Sequence, residues 1–216
     1  MATQSLPSAV AASDIAFTAS VKAIQARKGS REAYARMERG DGWSQTIDAE
    51  LEAFIAAQTS VFLATANAAG QPYIQHRGGP AGFLRVLDER TIAFADFRGN
   101  RQFITSGNLG ENGRAFLFLI DYAQRRRIKI WGTARVVEDD AELVASLLPA
   151  GYKARAEQAI VLTVEAWDEN CHQHIPQRFE AADVERALAQ RDAAIAERDA
   201  RIAALEAELG QRGPPV

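Results

Sequence analysis

The chain has 216 residues, 47% apolar and 25% charged, with a net charge of −3. That is enough for one globular domain of ordinary size plus an appendage, and the charge supplies no general field for nucleic acid or an anionic membrane. A single cysteine excludes an internal disulfide and points to a reducing, cytoplasmic setting. No window approaches the roughly 18 apolar residues of a spanning helix. The opening MATQSLPSAVAASDIAF has no basic stretch ahead of a long apolar run, so no signal peptide is expected.

Residues 1–13 read as a small, polar, disordered lead. From Asp14 to Arg39 the pattern is helical, with a break at Gly29-Ser30. Ser30 suits the N-cap of the second helix and Gly40 its C-cap. Next, Ile47, Leu51, Phe54 and Ile55 fall at i, i+4, i+7 and i+8, one apolar helical face.

The period then changes to two. SVFLATANAAGQPYIQHR reads as strand, Asn-Ala-Ala-Gly turn, strand. GFLRVLDERTIAFADF is a second hairpin, turning at Asp88-Glu89-Arg90. A third runs through RAFLFLIDYAQRRRIKIWGTARVVED and turns near Tyr122–Gln124. Within it Ile128, Ile130 and Thr133 are expected on one face, against Lys129 and Trp131 on the other. Between the second and third hairpins, RQFITSG reads as a short helix bracketed by Asn100 and Asn108. Asp139 with Glu142 resembles a capping box ahead of AELVASLL, and QAIVLTVEAWD supplies a seventh strand. The expected fold is mainly β with added α: an antiparallel barrel with flanking helices and a long C-terminal helix. The expected divisions are 1–45, an N-terminal helical extension; 46–179, the barrel; and 180–216, the helix.

That last helix runs from Glu180 to Leu209 without Gly or Pro. Leu188, Ile195, Ile202 and Leu209 recur every seven residues, and Val184 and Leu205 fall four before two of them. This reading puts the sevens at heptad position d, and Val184, Arg191, Arg198 and Leu205 at a, where two arginines make a poor zipper. An exposed amphipathic cap and a short dimeric coiled coil both remain open.

The stretch FLATANAAGQPYIQHRGGPAGFLRVLDERTIAFADFRGNRQ, followed by RAFLFLIDY and RRRIKIWGTARVV, resembles the pyridoxamine 5'-phosphate oxidase-like family of FMN-binding split barrels. It is most similar to the bacterial pyridoxamine 5'-phosphate oxidase-related branch, over about Leu51 to Phe179. The resemblance implies a six-stranded split barrel, a homodimer, and FMN in a groove at the subunit interface. It assigns Arg77 and Arg101 to the FMN phosphate. It puts Gln75, His76 and Gly78 beside the ring, Asp96, Asn100 and Gln102 near the turn, Arg127 at the flavin edge and Trp167 after the last strand. The chain departs from the oxidases proper in Gln102, which stands where they carry lysine, in Asp96, where they carry threonine, and in GGPAGF and DENCHQHIPQR, where they carry basic substrate-binding residues. Poor use of pyridoxamine 5'-phosphate is therefore expected.

The residues themselves support a phosphate site in part. Glycine-rich loops let backbone N–H groups approach an anion, and arginine grips phosphate bidentately. The plainer alternative is a pair of surface arginines, one of them paired with Asp96 or Glu111. Arg125, Arg126, Arg127 and Lys129 form a basic run, and a cation at the flavin edge stabilises the reduced ring. Trp131 and Trp167 suit core or interface packing as well as a flavin contact. Cys171, His172 and His174 do not have a zinc spacing, and no metal is expected. A histidine of this segment contacting flavin or substrate stays open. An FMN-dependent oxidoreductase acting on a small molecule is the leading expectation. The alternatives are a non-catalytic flavin or haem binder, or a reductase using the deazaflavin F420. No catalytic residue is assigned.

Overall fold

The computed structural model describes residues 11–40, 42–170 and 172–211. Cys171 lies outside them, as do residues 1–10. A 3-10 turn, Ala12–Ile15, precedes α1 (Ala19–Lys28) and α2 (Arg31–Arg39). The break falls at Gly29, whose φ of 80° closes α1 in the left-handed region. Ser30 holds the N-cap position of α2 without a side-chain hydrogen bond, and Gly40 is not left-handed. The helix α3 (Ala49–Ala57) is capped by Asp48, whose side chain accepts from the Leu51 N–H at 2.8 Å. It buries Leu51, Phe54 and Ile55 in the main core, as its spacing requires.

Among the described residues seven strands follow, all antiparallel: β1 (Ser60–Ala66), β2 (Pro72–Gly78), β3 (Arg85–Asp88), β4 (Thr91–Phe97), β5 (Arg114–Asp121), β6 (Arg126–Val137) and β7 (Ala156–Asn170). Helix α4 (Ile104–Glu111) joins β4 to β5, and α5 (Ala141–Ser146) joins β6 to β7. The order across the sheet is β2-β1-β5-β6-β7-β4-β3. All three expected hairpins are present, and β7 is inserted between β6 and β4. The edge strand β2 is tied to β4, near the other edge, by an ion pair from Arg77 to Asp96 at 2.6 Å. The sheet thus curls on itself and leaves a seam with no backbone ladder.

The inward faces of the strands make one core, with Leu63, Leu117, Ile130, Phe94 and Ile160 among its members. Each such side chain contributes about 1.5–3 kcal/mol by leaving water. On β6 the inward parity is Ile128, Ile130, Gly132 and Ala134, while Thr133 is exposed. The expected place of Thr133 on the apolar face is therefore wrong by one residue. The cap of α5 is Asp140, which accepts from the Leu143 N–H at 2.8 Å, and not Asp139.

The described residues form two compact units. One holds those up to Asp121 together with Arg126–Gln173; the other holds Tyr122–Arg125 and those from His174 on. The second unit contains α6 (Ala181–Gln211), a single 31-residue helix. Its heptad letters need correcting. A d residue stands four before the next a, so Val184, four before Leu188, is d, and the sevens occupy a.

Candidate functional site

The seam between β2 and β4 opens onto a cavity of about 160 Å³. Gln75 and Arg77 face it from β2, Asp96 from the end of β4, and Asn100, Arg101 and Gln102 from the loop before α4. Strand alternation sends the inward residues of β2 here and turns His76 to the opposite side. There its Nε2 lies 2.8 Å from Ser60 Oγ and its ring meets Phe62 edge-on. His76 and Gly78 line an adjoining hollow that shares Gln75, Arg77 and Asp96.

The loop carries unusual backbone. Asn100 Oδ1 accepts from the Gln102 N–H at 3.2 Å, a local turn. Arg101 and Phe103 sit at φ of 59° and 55°. Left-handed conformations of non-glycine residues cost about 1–3 kcal/mol each and gather at functional sites. They also delay the helix. α4 starts at Ile104, not at Arg101, and its N-cap Phe103 offers no side-chain acceptor. No acidic residue stands in its first turn. No side-chain cap is made at the start of α4, and the positive end of the helix dipole lies there. Asn108 does not cap this helix. It is buried, and its Nδ2 donates to Thr65 Oγ1 at 3.0 Å.

The charges at the cavity are nearly balanced. Asp96 accepts from Arg77 and, at 2.8 Å, from Gln158 Nε2, which also donates to Ser106 Oγ at 3.0 Å. Glu157 lies 3.8 Å from Arg101 and 3.6 Å from Arg98. The pairing of Arg77 with Asp96 is the plainer alternative, realised for one arginine; Glu111 instead accepts from the Ala68 N–H. Yet Arg77 keeps a buried Nε without a hydrogen-bond partner. That orphaned donor, the uncapped helix and a half-exposed Arg101 fit a phosphate monoester.

The remaining candidates lie elsewhere in the chain. Arg127 stands on the outward side of β6, opposite Ile120 and Asn170, and its Nε is also buried without a partner. Its neighbours are engaged: Arg126 chelates Glu169 with bonds of 2.8 and 2.6 Å, and Lys129 pairs with Asp168 at 2.9 Å. The Glu169 carboxylate holds the Arg126 guanidinium above its usual pKa. Trp167 packs against the core and donates its indole N–H to the Thr46 carbonyl at 2.8 Å. Neither Arg127 nor Trp167 lines the seam cavity. Sequence reasoning missed Ser106, Glu157 and Gln158. The last is placed by the register of β4 on β7, where Asp96 pairs with Gln158, a long-range pairing with no local signal.

An antiparallel barrel, split along a seam that ends in an anion-suited loop and helix, defines the class as a split-barrel protein. Residues 47–171 match the family model described as pyridoxamine 5'-phosphate oxidase, and the chain belongs to that family. No curated protein sequence matches it. Among solved structures it is similar to HupZ of Group A Streptococcus, at 20% identity over 62% of this chain and 99% of that one, with a TM-score of 0.48. It is also similar to an FMN-binding protein from Syntrophomonas wolfei subsp. wolfei (12% identity, 68% and 97% covered, TM-score 0.45) and to HutZ, described as a heme storage protein, from Vibrio cholerae (17%, 53% and 87%, 0.40). Among the described residues, no helix is long and apolar enough to cross a membrane.

Proposed function

We propose that the protein binds FMN at the seam and works as an FMN-dependent oxidoreductase on a small molecule in the cytoplasm. The observation that carries this reading is the buried, unpartnered Nε of Arg77 beside the uncapped start of α4. In it Arg77, Arg101 and the first N–H groups of α4 hold the phosphate, and Ser106 adds a hydroxyl. Gln75 and His76 border the ring. FMN, when bound, supplies the hydride and electron transfer.

A cavity of about 160 Å³ is below the roughly 300–1,000 Å³ of sites that enclose a ligand of this size. The outward face of β2, β1 and β5 carries Ile74, 61% exposed, with Phe62, Phe116 and Phe118 half-buried in neighbouring registers. Apolar cover from a second copy suits that face, so the proposal includes a homodimer that completes the flavin groove. There Arg127, on the outward side of β6, supplies the cation for the reduced ring.

The test is the spectrum of protein purified natively and then titrated with FMN. Two flavin bands, FMN released on boiling, and bleaching by NADPH or NADH with reoxidation in air are expected. A colourless protein that takes up no FMN rejects the reading, and a Soret band in place of flavin bands assigns haem.

Pyridoxamine 5'-phosphate is expected to be a poor substrate. Asp168 and Glu169 bring negative charge, already matched by Lys129 and Arg126, and Arg178 lies over the Tyr122 ring at 4.7 Å. A second phosphate finds few free cations in these stretches. Pyridoxal 5'-phosphate formation by FMN-loaded protein, assayed beside a true oxidase, is expected at less than about one tenth of that enzyme's kcat/KM, the least that one lost charged contact costs. Turnover within that tenfold would show the substrate prediction wrong.

A further inference from the structure

The helix α6 exposes its apolar residues along its whole length. None of its residues is buried, and Val184, Leu188, Ile195, Ile202, Leu205 and Leu209 are 40–67% exposed. A monomeric surface normally scatters such residues and does not align them. Here Leu188, Ile195, Ile202 and Leu209 recur at strict sevens. A straight α-helix drifts about 20° per heptad from that spacing, so only a left-handed supercoil keeps the stripe on its partner over three heptads.

The sequence also repeats itself along this stripe, as LAQRDAA and then IAERDAR. With the sevens at a, Arg191 and Arg198 fall at d, each followed by an aspartate at e. In the single chain Arg191 turns to its own Asp192, with Nη2 to Oδ1 at 2.9 Å. In a parallel pair a d side chain borders position e of the other helix, so each arginine meets an aspartate there. Arg201 at g likewise meets Glu206 at e, five residues on. An antiparallel pair instead sets e against e, with Asp192 facing Asp199 and Glu185 facing Glu206, all of one sign. Ile202 at a with Leu205 at d is the combination that favours two parallel strands, and charged residues inside the seam disfavour larger bundles.

We propose that α6 is one strand of a parallel, two-stranded coiled coil formed with the α6 of a second copy of this chain. The charges select the register and the direction, and the a-position stripe supplies the buried surface. The proposal stands apart from the flavin reading, because no residue of the seam takes part in it.

The experiment uses the full chain with Cys171→Ser, so that an introduced thiol is the only one. Leu188→Cys and Leu209→Cys, made separately and oxidised, are each expected to give covalent dimers, and Ala200→Cys at the outer f position far fewer. All three positions are exposed, so folding is not at stake. Arg201→Glu is expected to weaken the pairing by roughly 3- to 10-fold by reversing two charge pairs per dimer, and Arg201→Glu with Glu206→Arg to restore it. Equal cross-linking at Ala200→Cys overturns the proposal. So does a pattern in which Leu188→Cys links only to Leu205→Cys in a mixture, the signature of an antiparallel pair. An Arg201→Glu defect that the second reversal leaves unrepaired overturns the proposed register.

Discussion

Replacing Arg77 by methionine is expected to weaken FMN binding by roughly 10- to 100-fold, the loss of one charge-assisted contact to a largely desolvated phosphate. Two effects act together. The buried Nε loses its place in the site, and Asp96, freed of its partner at 2.6 Å, becomes an anion facing an anion. Gln158 still donates to Asp96 at 2.8 Å, which limits the structural damage. Adding Asp96→Asn to Arg77→Met is therefore expected to recover part of the affinity. Arg101→Ala belongs at the lower end of the same range, because its side chain is 54% exposed and water screens it. Riboflavin lacks the phosphate and is expected to bind wild type and variants nearly equally. Quenching of flavin fluorescence on titration measures all of these. If riboflavin loses as much as FMN, Arg77 belongs to the scaffold that closes the seam, and the phosphate lies elsewhere.

Different parts of this arrangement were legible in the sequence for different reasons. The hairpins follow from alternation and turn chemistry, both local: Asn67 to Gly70 closes the first with an N–H to carbonyl bond of 2.9 Å, and Ile128 and Ile130 alternating with Arg127 and Lys129 fix the inward face of β6. Helix α3 follows from four residues at helical spacing. The insertion of β7 between β6 and β4 was not legible, because strand order is decided by long-range pairing. That insertion is what sets Gln158 against Asp96 and Glu157 near Arg101. The late start of α4 was hidden for another reason. Arg101 and Phe103 adopt positive φ although neither is the glycine that normally marks such a turn. Asn108 looked like a cap, since asparagine is common there. Its burial against Thr65 needed the packing of α4 on β1 to be known. The arginines at the seam were legible as charges in a glycine-rich loop, but the pairing of Arg77 Nη1 with Asp96, which leaves the Nε buried and unpartnered, was not.

The seam keeps its shape only while β6 and β7 hold their register, and one glycine governs that. Gly132→Ala is expected to be the most damaging single substitution of the barrel. A Cβ at Gly132 would lie 2.0 Å from the Thr163 carbonyl oxygen and 3.0 Å from its carbon. Both are backbone atoms. Thr163 is held on two sides, opposite Thr133 on β6 and Thr91 on β4. Next to it the Arg90 guanidinium and carbonyl grip the backbone of Val164. The ladder already shifts register between Trp131 and Gly132, which brings the two strands so close. Relief therefore requires moving a central strand pair and not turning a side chain. Overpacking of a filled core costs about 1–3 kcal/mol and occasionally more, and a clash with fixed backbone belongs at or beyond the top of that range. Domains of this kind hold only about 5–15 kcal/mol in all, so a large fall in the urea midpoint is expected. Gly107→Ala provides the contrast. It lies inside α4, and beyond its chain neighbours and its own helix backbone no atom comes within 4 Å of the added carbon, so the change is expected to stabilise by about 0.5–1 kcal/mol, the helix propensity difference. Should Gly132→Ala unfold at the wild-type urea concentration, β6 and β7 can slide past one another, and the seam is not held by their register.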